Sequence, residues 1–384
     1  MGQTPTIALD GAFSREPLTG SGQYTLGLWS QFSAGDVCCR VVLLLPGSGS
    51  PGAVPPRLLR TGKPAKLWWE QRGVVEAAQA AGAALLHVPY FAGPLRSPLP
   101  LVVTVHDVIP LLFPAYRASL AMRLYLRLVS RVARRADAVI TDSEHSKRDI
   151  MRVLGIPAER ITAIPLAADP RFRPATDLAR LAELRQRFDL PGPVIFNVGG
   201  LDVRKNLPAL IAAFALALPD LDPATRLVIA GRPHAENPRL YPPLEPVVRR
   251  FGLEGHVVLP GAVSEEDKLG LYQIADLYVY PSLYEGFGLS PLEAMACGTP
   301  VIAANRSSLP EVVGDGGLLV EPEPGELARA IRQVLLDDRL REDLARRALK
   351  RAAQFSWERT ARETIAVYYQ VLGRRAAHRG ADVR

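Results

Sequence analysis

Cysteine is nearly absent from this chain of 384 residues. Cys38, Cys39 and Cys297 give no disulfide framework, because the adjacent pair alternates faces of an apparent strand and Cys297 reads as a small core residue in a helix. A reducing compartment fits. Long apolar runs are missing too: nothing approaches the roughly 18 uninterrupted apolar residues of a membrane span, and no charged-then-apolar leader precedes the first strand. A cytoplasmic protein is expected. Gly2 with Thr6 matches an acylation pattern, but a strand starts there at once and the match reads as chance.

Arg and Lys exceed Asp and Glu, 46 against 39, yet no basic block is interleaved with aromatics. No nucleic-acid partner is indicated. The excess reads as a solvated basic surface or as attraction toward an anionic membrane or substrate. Familiar nucleotide motifs also fail: there is no Walker A sequence, and Gly20-Ser21-Gly22-Gln23-Tyr24-Thr25 opens a dinucleotide fingerprint with Thr25 where Gly or Ala belongs. No Cys and His spacing suggests zinc. Asp220-Leu221-Asp222 looks like a metal-binding aspartate pair but falls between a helix and the next strand, at the sheet edge away from the other candidates. No metal is expected.

What is present is βα grammar, written twice. Short apolar runs at 7–9, 41–45, 85–88, 101–105, 138–141 and 161–166 alternate with helical periodicity, including helices near 23–32 and 118–134 and one from Glu144. The segment 173–192, rich in proline and charge, reads as a crossover between domains. Runs at 194–198, 227–230, 256–259, 277–280 and 301–303 then restart the pattern. Two doubly wound α/β domains are expected, 1–172 and 193–356, with a helical segment at 357–384 crossing back onto the first.

The loop after the 277–280 run carries two carboxylates, Glu285 and Glu293, around Gly286-Phe287-Gly288. Ser290-Pro291-Leu292-Glu293 reads as a capping box, with Ser290 as N-cap. In the other reading, backbone N–H groups at the helix start hold a phosphate and Glu293 accepts two hydroxyl protons of a ribose. Glu285 is either solvent-facing or a sugar ligand, with the N–H groups of Phe287, Gly288 and Leu289 beside it. Arg204 and Lys205, after the 194–198 strand, are a solvated pair or the cations a diphosphate needs. His106, at a strand's carboxyl end, is a satisfied structural residue or an acceptor-side group, and Asp107 a turn former. The Thr19–Tyr24 turn and Thr141–Ser146, with Ser143 as a plain N-cap, are similarly placed.

Glu285 and Glu293 in Glu-Gly-Phe-Gly-Leu-Ser-Pro-Leu-Glu resemble the paired-glutamate motif of the retaining glycosyltransferases of family 4. The blocks 199–206, 142–149 and 104–110 resemble those of its mannosyltransferase-like branch. The resemblance implies a GT-B fold, two Rossmann-like doubly wound domains facing across a cleft. It assigns Glu293 to the nucleotide ribose, Glu285 to donor-sugar hydroxyls, Lys205 with Arg204 to the diphosphate, and His106 to the anomeric centre and acceptor. Gly20 and Gly22 would line the acceptor side, and Gly231 and Gly261 would contribute to base and sugar selectivity. In one departure, Gly199 and Gly200 occupy a stretch where many members carry an arginine.

The implied reaction is metal-free, retaining transfer of a hexosyl unit, mannosyl by branch resemblance with GDP-mannose as donor, to a saccharide or lipid-linked acceptor in cell-surface polysaccharide synthesis. The rival readings are a sugar-nucleotide epimerase or hydrolase and a non-catalytic sugar-nucleotide-binding subunit. Arg123, Arg127, Arg131 and Arg134 recur about one helical turn apart, either as a solvated face or as a peripheral contact with anionic lipid at the inner membrane face.

Overall fold

Short β-branched runs followed by capped helices build two all-parallel sheets, each six strands wide. In the computed structural model the described residues are 4–16, 19–35, 38–47, 62–117, 119–234 and 236–381; Gly2 lies outside them. The chain divides into two compact units, Met1–Leu166 with Trp357–Arg384, and Ala167–Ser356.

The first unit runs β1 (Thr6–Asp10), α1 (Gly20–Ser33), β2 (Arg40–Leu44), α2 (Lys63–Trp68), α3 (Val74–Ala80), β3 (Leu85–Val88), β4 (Leu101–Thr104), α4 (Ile109–Leu112), α5 (Leu120–Arg135), β5 (Ala138–Thr141), α6 (Glu144–Leu154) and β6 (Ile161–Ala163). A π-helical turn, Trp69–Gly73, joins α2 to α3. The strand order is β2-β1-β3-β4-β5-β6. Strands β3, β4 and β5 are buried along their whole length, as continuous apolar runs in a parallel sheet must be. Helix α6 is bounded by its own sequence: Ser143 Oγ accepts from Ser146 N, and Gly155 ends the helix in the left-handed conformation.

The helix Trp357–Ala381 completes this unit. Trp357 lies over Gly27 of α1, where a β carbon would come within 2.5 Å of its ring, and Thr360 Oγ1 donates to the Pro165 carbonyl. Arg375 pairs with Asp137 at 3.0 Å.

The second unit runs α7 (Leu178–Arg187), β7 (Val194–Val198), α8 (Leu207–Ala217), β8 (Arg226–Ala230), α9 (Glu245–Arg250), β9 (Val257–Gly261), α10 (Glu265–Ile274), β10 (Leu277–Tyr280), α11 (Leu289–Ala296), β11 (Val301–Ala304), α12 (Leu309–Val313), β12 (Leu318–Val320), α13 (Pro324–Leu336) and α14 (Asp338–Ala352). Its sheet order is β12-β11-β10-β7-β8-β9. Helices α8 and α13 pack together, sharing Leu210, Phe214, Leu327 and Ile331 in one core cluster.

Three elements differ from the sequence reading. The segment 173–192 contains α7, which packs on α10 inside the second unit. Strand β12 was not anticipated, being short and half-buried at an edge. The stretch before β3 folds as α2, the π turn and α3.

Candidate active site

In the second sheet, β10 lies beside β7, and the chain leaves these neighbours in opposite directions, to β11 and to β8. Such a switch point opens a crevice outside the strands' carboxyl ends, the place where open α/β sheets take ligands. The loops after β7 and β10 border it. They are laced together: Leu283 N donates to the Arg204 carbonyl at 2.8 Å, and Arg204 Nη1 donates to the Tyr284 carbonyl at 2.5 Å.

Glu285 is not a solvent-facing loop residue; it is 8% exposed. Its Oε1 accepts from Lys205 Nζ at 2.7 Å, Tyr280 OH at 2.9 Å and Ser282 Oγ at 2.5 Å, and lies 2.6 Å from Arg204 Nη1. All these contacts end on Oε1. Burial alone would raise this carboxyl's pKa, but Arg204 and then Lys205 outweigh it and hold the pKa down at about 2. Burial, with Arg204 beside it, lowers the pKa of Lys205. The Lys205 amine lies 4.8 Å from the Tyr280 ring centroid and donates to the Tyr280 hydroxyl at 2.5 Å. Arg204 also faces Asp202, its Nε 3.3 Å from Oδ1. Gly199, at φ +148°, leaves space above the lysine, since a β carbon there would stand 3.9 Å from Nζ.

The capping box is not formed. Gly288, at φ +123°, is the N-cap of α11, so the helix begins before Ser290 and Glu293 is its fifth residue rather than its third. The Glu293 carboxylate turns into the core, 3% exposed, where Tyr272 OH donates to Oε2 at 2.9 Å and Lys268 Nζ lies 3.4 Å from Oε1. Burial raises its pKa against the pull of Lys268 and Tyr272. The Phe287, Gly288 and Leu289 N–H groups make no hydrogen bond to an acceptor among the described residues. The Phe287 side chain is buried against Phe355.

Ser307 and Ser308 hold this loop in shape. Ser307 Oγ accepts from Glu285 N at 2.8 Å, and Ser308 Oγ lies 2.9 Å from the Glu285 carbonyl oxygen and 2.5 Å from that of Phe287. Neither serine, nor Tyr272 or Lys268, was singled out from the sequence. Their spacing from the glutamates carries no motif, and only the parallel pairing of β10 with β11 brings the serines across.

Gly231 and Gly261 meet at the ends of β8 and β9, where Gly231 N donates to the Gly261 carbonyl at 2.9 Å. They border a cavity of about 330 Å³ with Leu201, His234 and Tyr241. A β carbon on Gly231 would press to 2.3 Å from the Gly199 carbonyl oxygen.

In the first unit, His106 follows β4 and Asp142 follows β5. His106 Nδ1 lies 2.8 Å from Asp142 Oδ2, and Tyr24 meets the imidazole edge-on at 5.0 Å. Burial works against the charged imidazole, but Asp142, Asp107 and the Pro89 carbonyl together raise its pKa. His106 Nε2 is buried with no hydrogen-bond partner among the described residues. Asp107 is the turn former its position suggested, Oδ1 accepting from Ile109 N at 2.9 Å.

Gly20 and Gly22 are not in a loop. They lie in the first turn of α1 behind the N-cap Thr19, whose side chain accepts from Gly22 N. Gly22 is buried against its own preceding turn, where a β carbon would overlap the Glu16 carbonyl.

Beneath His106 lies a buried chain the sequence reading passed over: Tyr368 OH to His87 Nδ1 at 2.7 Å, His87 Nε2 to Thr104 Oγ1 at 2.8 Å, and Thr104 Oγ1 to Tyr24 OH at 3.2 Å. Asp10, at the end of β1, accepts from Tyr90 OH at 2.7 Å and Trp69 Nε1 at 3.0 Å. Glu70, in the π turn, is wholly buried and accepts from Tyr125 OH at 3.0 Å.

Among the described residues no group of three or more His, Cys, Asp or Glu is arranged to hold a metal. Asp220 faces Arg332, and Asp222 accepts from Ala224 N.

Two six-stranded parallel sheets with flanking helices in one chain are the architecture of GT-B glycosyltransferases. A sucrose-phosphate synthase from Thermosynechococcus elongatus has this fold, with a TM-score of 0.73 at 24% identity over 96% of this chain and 99% of its own. Family models described as glycosyl transferases group 1 and glycosyltransferase family 4 match residues 183–351 and 28–172. The chain is 35% identical over 287 residues, 74% of each chain, to an O-antigen chain mannosyltransferase B of Escherichia coli. It is 30% identical over 282 residues, 72% of this chain, to the serotype-specific mannosyltransferase WbdA of Escherichia coli, of whose length it spans about a third, 34%. The chain therefore belongs to the family 4 glycosyltransferases and is a hexosyltransferase of that family.

Proposed function

We propose that the protein transfers a mannosyl unit, with retention of configuration, from GDP-mannose to a saccharide or lipid-linked acceptor in cell-surface polysaccharide synthesis. The observation that carries this reading is the buried Glu285, held ionised by Arg204 and Lys205 at the β7–β10 switch point. A carboxylate fixed in this way accepts sugar hydroxyls without a proton of its own to lose. The likeness to two mannosyltransferases supports the choice of sugar.

In this reading Lys205 and Arg204, with the start of α11, balance charge on the leaving diphosphate, a pre-arranged electrostatic contribution. The N–H groups of Phe287, Gly288 and Leu289 take donor oxygens. Gly231 and Gly261 leave room for the base. The bond from the anomeric carbon to the phosphate oxygen breaks, the acceptor oxygen bonds on the same face, and its proton passes to the departing phosphate. His106 orients the acceptor through Nε2. No metal has a role, so rates are expected to survive chelation by EDTA.

A thermal-shift screen of GDP-mannose, UDP-hexoses and dTDP-rhamnose tests the donor. The cognate one, at 100 times its dissociation constant, stabilises by about 2.7 kcal/mol. A larger shift with a UDP-hexose overturns the assignment of sugar and base.

A further inference from the structure

The segment 307–309, between β11 and the first residue of α12, touches the Glu285 loop at each of its residues. Ser307 Oγ accepts from Glu285 N at 2.8 Å. Ser308 Oγ lies 2.9 Å from the Glu285 carbonyl oxygen and 2.5 Å from that of Phe287. Leu309 closes on Gly288, where a β carbon would come within 2.9 Å of the leucine side chain. Ser308 and Leu309 are wholly buried, so both carbonyls of the loop are drawn inward.

Peptide planarity turns those carbonyls into a statement about N–H groups. In a trans peptide the carbonyl oxygen of one residue and the N–H of the next face opposite ways. The Phe287 carbonyl, held on Ser308, therefore turns the Gly288 N–H away from the core, and that N–H meets no acceptor among the described residues. Gly288 takes up the rotation at φ +123°.

Ser307 is strained. Among the described residues Asp189, Asn206 and Ser307 have positive φ without being glycine, Ser307 at +50°. Asp and Asn visit this left-handed region through local hydrogen bonds of their side chains; serine has no such preference. Strained backbone persists where surrounding contacts over-determine it, and it clusters at ligand clamps. The side chain of Ser307 spends its contact on the residue that meets both Lys205 and Arg204.

We propose that Ser307 and Ser308 are positioning residues for hexosyl transfer: Ser308 aims the Gly288 N–H at an oxygen of the donor, and Ser307 fixes the backbone of Glu285 beneath its carboxylate. Neither touches the donor itself. The proposal rests on this loop being the donor side, as read above, and on no particular sugar or base.

The test is calorimetry, thermal melting and NMR of the full chain carrying ¹⁵N-labelled glycine, with GDP-mannose, UDP-glucose and inorganic pyrophosphate as probes. In the wild type the Gly288 amide should shift on adding GDP-mannose. Ser308→Ala should lose that shift and bind GDP-mannose about tenfold more weakly, one hydrogen bond's worth. Ser307→Gly separates position from stability: it relieves the strain, so it should melt no earlier than wild type while binding about fivefold more weakly. Ser307→Asn tolerates positive φ and keeps an acceptor, so it should recover the affinity. Wild-type affinity in Ser307→Gly, or a Gly288 shift that survives in Ser308→Ala, would overturn the proposal. A Gly288 amide moved by UDP-glucose and not by GDP-mannose, and lost in Ser308→Ala, would overturn the choice of donor and leave the positioning role standing. Indifference of that amide to all three probes would overturn both.

Discussion

Lys205 Nζ and Glu285 Oε1 lie 2.7 Å apart, both side chains buried, on loops that follow different strands of the second sheet. The pair ties the β7 loop to the β10 loop through charge. Arg204 adds a second cation at 2.6 Å, so the one carboxylate faces two positive charges.

Replacing Glu285 with Gln leaves two buried cations without their shared counter-ion. We expect a loss of about 3 kcal/mol in urea unfolding. Lys205→Ala costs less, because Arg204 remains beside the carboxylate. Each variant should lose at least ~10²-fold in the transfer rate; near-normal turnover in either would remove its assigned role.

Acid offers a second reading of the same group. The Glu285 pKa falls from 4.5 in its ordinary state to about 2 in the fold, so its stabilising contribution is present above pH 4.5 and is lost as pH falls toward 2. The difference amounts to about 3 kcal/mol. Comparing wild type and Glu285→Gln across that window should show the gap between them closing; a constant gap would mean the carboxylate is not held ionised.

Glu70 behaves in the opposite sense. Burial pushes its pKa from 4.5 up to about 7 despite Lys66 and Tyr125, so the fold is favoured below pH 4.5 and loses that advantage as pH rises through 7. Glu70→Gln keeps the hydrogen bond from Tyr125 and removes the charge. It should melt later than wild type at pH 8, by about 3 kcal/mol in stability, and show no gain at pH 4.

For His106 the neighbour decides. Its raised pKa means stability that is full below pH 6.5 and fades as pH rises through the folded value. Asp142→Asn should move the imidazole titration downward in a histidine-labelled NMR experiment, and its destabilisation should be larger at pH 6 than at pH 9. An unmoved titration would separate the two residues.

The strands were legible because parallel sheets bury both faces: Leu277–Tyr280 and Ala138–Thr141 are apolar runs with no competing reading. Helix α7 was not, since its ten residues carry three arginines and bury only Leu184. At the site, Glu285 and Lys205 showed themselves by lying just beyond strand ends. The partner of Glu293 did not. A capping box and a buried carboxylate share one sequence, and the choice between them fell to Gly288, whose positive φ moved the helix start ahead of Ser290. Tyr272, on α10, supplies the hydrogen bond, and nothing in its spacing from Glu293 signals it.

The helix Trp357–Ala381 sets an order of assembly. Tyr368 caps the His87–Thr104 chain and Trp357 fills the notch at Gly27, so the first unit has an open core until those residues have been synthesised. The second unit, wholly encoded between the two halves of the first, emerges from the ribosome and can close before its neighbour is finished. A chain cut after Ser356 would therefore present one folded unit and one exposed sheet, a target for chaperones and proteases.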